Sequence, residues 1–109
     1  MNILQELYEI VLNRKEFPEE SGNSYTCYLF EKGIDKILKK CGEECSEMII
    51  AAKNHDNNEL KNEIADLFYH VLVLCAERGL PWGEVEEVLI ERRDKIGNLK
   101  EMKVVDRNT

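Results

Sequence analysis

The chain has 109 residues, 43% hydrophobic and 34% charged, with two prolines and six glycines. That composition suits one folded domain over residues 1–109 and excludes a disordered or fibrous chain. The formal charge of −7 argues against nucleic acid as a partner, and it repels a phosphorylated ligand unless cations intervene.

In chain order, residues 2–15 place Ile3, Leu4, Leu7, Tyr8, Ile10 and Val11 on a helical stripe that ends near Arg14. The same opening segment has no basic stretch ahead of an apolar one, so no signal peptide is expected. EFPEESGNS reads as a loop. Ser24 can cap a short helix from Tyr25 to Lys32, and Gly33 breaks it. Asp35 lies near the start of the next helix, which runs to about Lys53. NHDNN is the turn. Asp56 with Glu59 three residues later resembles a capping box. The following helix spans about Asn57 to Arg78, and Gly79 ends it. Pro81 suits the first turn of a last helix reaching about Lys95. Gly97 and the VVDRNT tail are expected to fray. No run of alternating strand residues, internal repeat or transmembrane-length apolar segment is present. The expected fold is all-α, a small bundle of four to five helices. The cysteines Cys27, Cys41, Cys45 and Cys75 form no CxxC pair. Free thiols in a reduced, cytoplasmic protein are therefore expected, with no zinc site and no membrane association.

The acids of the central helices have an unusual placement. At ~100° per residue, Glu47 falls about 60° from Glu44, with Lys40 between them. Ile37, Leu38, Cys41, Cys45, Met48 and Ala52 fill the neighbouring arc, so these acids flank the apolar face rather than oppose it. On the next helix Glu63 and Asp66 repeat the three-residue spacing, with His70 between them on the wheel. Around that seam IADLFYHVLVLCA is apolar almost all round, as in a helix buried on most sides. Buried polar groups need partners. An antiparallel hairpin about His55 supplies them: Glu47 and Glu63 are each eight residues from it, Glu44 and Asp66 eleven, and Lys40 and His70 fifteen. Four carboxylates at matched heights repel one another unless a cation joins them. A hard divalent ion such as Mg²⁺ or Mn²⁺ takes oxygen ligands of this kind.

Each feature also has a plainer reading. Glutamates at i, i+3 are common on wet helices, and a lone core histidine is usually just hydrogen-bonded. Lys36, Lys39 and Lys40 can be solvated or paired within their helix. The second acidic pair, level with the first on a nearly apolar helix, favours a metal site.

The pattern EExxE (Glu43, Glu44, Glu47) followed by ExxD (Glu63, Asp66) resembles the MazG-like all-α nucleoside-triphosphate pyrophosphohydrolases. Ser24-Tyr25-Thr26, Gly33-Ile34-Asp35-Lys36 and Tyr69-His70 make the chain similar, over roughly residues 3–95, to the phosphoribosyl-ATP pyrophosphohydrolase family. The resemblance implies hydrolysis of the α–β phosphoanhydride of phosphoribosyl-ATP, the second step of histidine biosynthesis. It implies Mg²⁺ on Glu44, Glu47, Glu63 and Asp66, with Glu43, Glu44 and Glu47 as catalytic residues. Ser24, Tyr25, Thr26, Lys36, Lys40 and His70 would bind substrate, with Lys39 as a further cation. A homo-oligomer, most simply a dimer, would complete the bundle. Two other readings of the same residues stay open: a housecleaning enzyme for other nucleoside triphosphates, and a non-catalytic helical oligomerisation module. A di-iron bundle would need Glu-x-x-His pairs, which are absent.

Overall fold

The computed structural model describes residues 2–20, 22 and 24–95. Among these are five α-helices and no strand: α1 (Ile3–Glu16), α2 (Tyr25–Lys32), α3 (Ile34–Lys53), α4 (Asn57–Arg78) and α5 (Trp82–Lys95). A 3₁₀ turn at Pro18–Glu20 lies within the expected loop. The expected fraying of residues 97–109 falls outside the described residues. No described helix is long and apolar enough to cross a membrane.

Local chemistry sets the boundaries. Ser24 Oγ accepts from the Cys27 amide at 3.3 Å and opens α2. Gly33, at φ 93°, separates α2 from α3, a backbone conformation that side chains with a Cβ disfavour. The α3–α4 turn carries its left-handed residue at His55, φ 56°. The His55 amide donates to Ala52 O and the Asp56 amide to Ala51 O, each at 3.1 Å, which closes α3 in a Schellman arrangement. Asp56 then caps α4 by accepting from the Glu59 amide at 3.0 Å. Only this half of the expected capping box forms, because the Asp56 amide is already used by Ala51.

α3 and α4 make the antiparallel hairpin, α1 lies across α4, and α2 bridges α1 to α3. The core gathers Tyr8 and Val11 of α1, Leu29 of α2, Ile37 of α3, Leu72, Val73, Cys75 and Ala76 of α4, and Trp82. Burial of these side chains is the main stabilising term. Two polar ties hold α1 to the last turn of α4 and the connection after it: Lys15 Nζ donates to Ala76 O at 2.9 Å, and Tyr8 Oη donates to Leu80 O at 2.7 Å. Within one chain α4 is less enclosed than its composition suggests. Phe68 remains 48% exposed, and Ile49 and Ile50 of α3 are 59% and 58% exposed. α1, α2 and α5 do not surround the hairpin on every side.

Candidate active site

The hairpin brings the motif acids together. Carboxylate oxygens of Glu44, Glu63 and Asp66 lie within 4.8 Å of one another. Glu44 is 6% exposed, and its Oε2 is buried with no hydrogen-bond partner. An unpartnered buried carboxylate oxygen is costly, and a cation between these acids removes the cost. The donor set is all oxygen, which fits Mg²⁺ or Mn²⁺ better than a soft metal. Glu47 stands beside the trio, where its carboxylate can share a proton with Glu63.

Two carboxyls can share a hydrogen bond only if one holds a proton. The hydrogen bond to Glu47, burial and the surrounding anions push the Glu63 carboxyl up to about 7. The same bond, seen from its acceptor, holds Glu47 below the usual carboxylate range. Burial and the charges of Glu47 and Asp66 raise Glu44. Without a cation the cluster therefore relieves part of its repulsion by holding a proton on Glu63 to higher pH than an isolated carboxyl would.

Lys40 lies 3.3 Å from Glu43 and 3.8 Å from Glu44. It places one positive charge at the rim of the acids. Glu43 is exposed and stays outside the trio. A cleft of about 490 Å³ runs from Glu47 and Glu63 towards the hairpin turn, lined also by Ile50, Ala51, Asp56 and Glu59. Its acidic lining admits phosphate only with a cation present.

The other expected site residues divide into those near the acids and those turned elsewhere. Tyr25 Oη is 2.9 Å from His70 Nε2, and His70 Nδ1 is 2.7 Å from Asp66 O. A carbonyl only accepts, so Nδ1 carries the proton and Nε2 accepts from Tyr25. His70 is 6% exposed with both nitrogens engaged, and Tyr25 is 47% exposed. Tyr25 therefore presents the surface here, and His70 holds it. Thr26 is buried and hydrogen-bonds the Tyr69 hydroxyl. Ser24 caps α2. Arg14, at which the first helical stripe ends, is not one of these residues and lines a separate cleft of about 640 Å³ with Lys15, Cys27 and Glu31, which contains none of the motif acids. Lys39 is exposed. Lys36 lies not against the acids but 5.9 Å from the Tyr28 ring centroid. Tyr28 is not among the expected residues. Its three-residue spacing from Tyr25 on α2 is the signal that marks it.

An all-α hairpin carrying this acidic seam defines the class of the MazG-like pyrophosphohydrolases. Residues 4–93 match the model of the phosphoribosyl-ATP pyrophosphohydrolase family. The chain is 50% identical over 107 residues to the phosphoribosyl-ATP pyrophosphatase of Clostridium botulinum, covering 97% of this chain and 96% of that one. It is 52% identical over 104 residues to the phosphoribosyl-ATP pyrophosphatase of Listeria welshimeri, covering 95% and 98%. The protein of that name from Lactiplantibacillus plantarum is 50% identical over 101 residues, 93% of each chain. The chain belongs to the phosphoribosyl-ATP pyrophosphohydrolase family.

Proposed function

We propose that this protein hydrolyses the α–β phosphoanhydride of phosphoribosyl-ATP, releasing phosphoribosyl-AMP and pyrophosphate, as the second step of histidine biosynthesis in the cytoplasm. The observation that carries the reading, beside family membership, is the convergence of Glu44, Glu63 and Asp66 around a buried carboxylate oxygen that has no partner.

Glu44, Glu47, Glu63 and Asp66 hold Mg²⁺, or Mn²⁺ in its place. When bound, the ion polarises phosphate oxygens and offsets the charge that develops on them. The chain's own residues do the rest. Lys40, held between Glu43 and Glu44, neutralises phosphate charge at the rim. Tyr25, fixed by His70, offers its ring and hydroxyl beside the same acids. Glu43, an exposed motif acid paired with Lys40, orients the attacking water, and an acid not saturated by the metal takes its proton. The apolar surface left open at Phe68, Ile49 and Ile50 is covered by a second copy, which makes the working unit a homodimer.

The test is pyrophosphate release from phosphoribosyl-ATP with Mg²⁺, with and without a chelator, beside ATP as the control substrate. Turnover that requires the divalent ion is expected, with kcat/KM at least ~100-fold higher than for ATP. Equal efficiency on the two substrates would make the protein a general nucleotide pyrophosphatase. Full turnover in chelator would remove the metal from the reading.

A further inference from the structure

Beyond the acids, α2 and the start of α3 carry Tyr28, Lys32 and Lys36, which the proposed chemistry does not use. Tyr25 and Tyr28 sit one turn apart on α2, their ring centroids 6.2 Å apart and their planes inclined by 25°. Both are exposed, at 47% and 39%. Lys32 Nζ lies 5.8 Å from the Tyr28 ring centroid and Lys36 Nζ 5.9 Å from it. Among the described residues neither ammonium makes an ion pair; the four ion pairs involve Lys40, Arg93 and Lys95. In a chain of charge −7, two cations drawn to one exposed ring without a carboxylate are unusual. Attraction to an exposed ring is weak and leaves both charges without a counter-ion, which an anion held beside Tyr28 supplies.

We propose that Lys32 and Lys36, arrayed around Tyr28, form a second phosphate subsite that binds the monophosphate at the far end of phosphoribosyl-ATP. The inference rests on the proposed activity and names the feature that separates this substrate from ATP. Distance selects which phosphate is bound. Lys36 precedes Glu44 by eight residues on α3, a rise of about 12 Å along the helix axis. The β and γ phosphates of a triphosphate held at the acids fall short of that span. The phosphoribosyl phosphate does not, because two riboses and a purine separate it from the α phosphorus. The exposed face of Tyr25, between the acids and Tyr28, lies where the purine must pass and offers it ring surface. ATP has no group to place between the two lysines, so it forgoes this interaction.

The experiment uses the full-length protein and its Lys32→Gln/Lys36→Gln double variant at fixed Mg²⁺. Both side chains lie at the surface end of their helices, and circular dichroism confirms that the variant stays helical. Phosphoribosyl-AMP, AMP and pyrophosphate are compared as inhibitors of phosphoribosyl-ATP turnover. The expected result is a Ki for phosphoribosyl-AMP at least tenfold higher in the variant, with AMP and pyrophosphate changed by less than twofold. The substrate defect falls on KM more than on kcat, and Lys32→Arg/Lys36→Arg recovers most of it. A parallel rise in the Ki of pyrophosphate would assign the lysines to the β and γ phosphates and overturn the proposal. Unchanged inhibition by all three compounds would leave them as solvated charges and overturn it as well. If the wild-type protein does not cleave phosphoribosyl-ATP, the proposed activity fails. The subsite is then judged by calorimetric binding of phosphoribosyl-AMP against AMP. A preference for phosphoribosyl-AMP that the double variant loses upholds the subsite, and no preference rejects it.

Discussion

The hydroxyl of Tyr25 and Nε2 of His70 stand 2.9 Å apart, although forty-five residues separate them in the chain. The Asp66 carbonyl fixes the tautomer of His70 and so makes Nε2 the acceptor. One hydrogen bond thereby ties α2 to the face of α4 that carries Asp66. Tyr25→Phe removes the donor and leaves a buried ring nitrogen unpartnered. The expected loss is about 1 kcal/mol of unfolding free energy, read from the urea midpoint at unchanged slope. A variant as stable as the wild type would show that the bond gives no net stabilisation.

Thr26 tests a different contact. Its hydroxyl meets that of Tyr69 in a partly buried setting. Thr26→Val keeps the shape and strands the Tyr69 hydroxyl, at a cost of about 1–3 kcal/mol. The ratio of phosphoribosyl-ATP to ATP efficiency should change little, because the side chain faces the interior. A collapse of that ratio with stability intact would instead place Thr26 against the substrate.

The acids themselves should be indispensable for turnover and dispensable for folding. Glu47→Gln and Asp66→Asn are each expected to lower kcat/KM by at least ~100-fold, about 2.7 kcal/mol of transition-state stabilisation. Helical circular dichroism should persist. Removing one anion from a crowded acidic cluster relieves repulsion, so metal-free stability should not fall. Near-normal rates in both variants would sink the assignment of these carboxylates.

The raised Glu63 carboxyl gives a signed pH dependence. Its folded value of about 7 lies above the ordinary 4.5. Between those two values the folded chain holds a proton that the unfolded chain has lost. The associated stability is fully present below about pH 4.5 and is lost as pH rises through about 7. Glu44 is shifted in the same direction and Glu47 in the opposite one, so the clean measurement is a difference. Melting temperatures of metal-free wild type and Glu63→Gln, taken from pH 5 to pH 8, should converge at the acid end and separate in favour of the variant at the alkaline end. Saturating Mg²⁺ should abolish the wild type's decline, because the ion takes the proton's place. Parallel curves would contradict the shared proton.

The open apolar surface predicts association. Light scattering at micromolar concentration should give about twice the chain mass of 12.7 kDa, and Phe68→Asp should shift the population towards the single chain. A wild-type protein that stays monomeric would leave Phe68, Ile49 and Ile50 without a cover.

The sequence by itself determined the helices and the level pairing of the acids. Ser24, Gly33, Asp56 and Gly79 act on backbone within a few residues, so their effects are readable without a fold. An antiparallel hairpin also obliges residues equidistant from its turn to meet, which is why Glu44, Glu63 and Asp66 could be expected together. The tertiary structure decided what each side chain does there. Glu44 is buried, whereas its neighbour Glu43 remains exposed. His70 turns both nitrogens inward, Thr26 faces Tyr69, and Lys36 leaves the acids for Tyr28. These outcomes depend on the rotation of α2 and its docking against α3 and α4. That docking is set by packing between residues far apart in the chain, which no local pattern encodes.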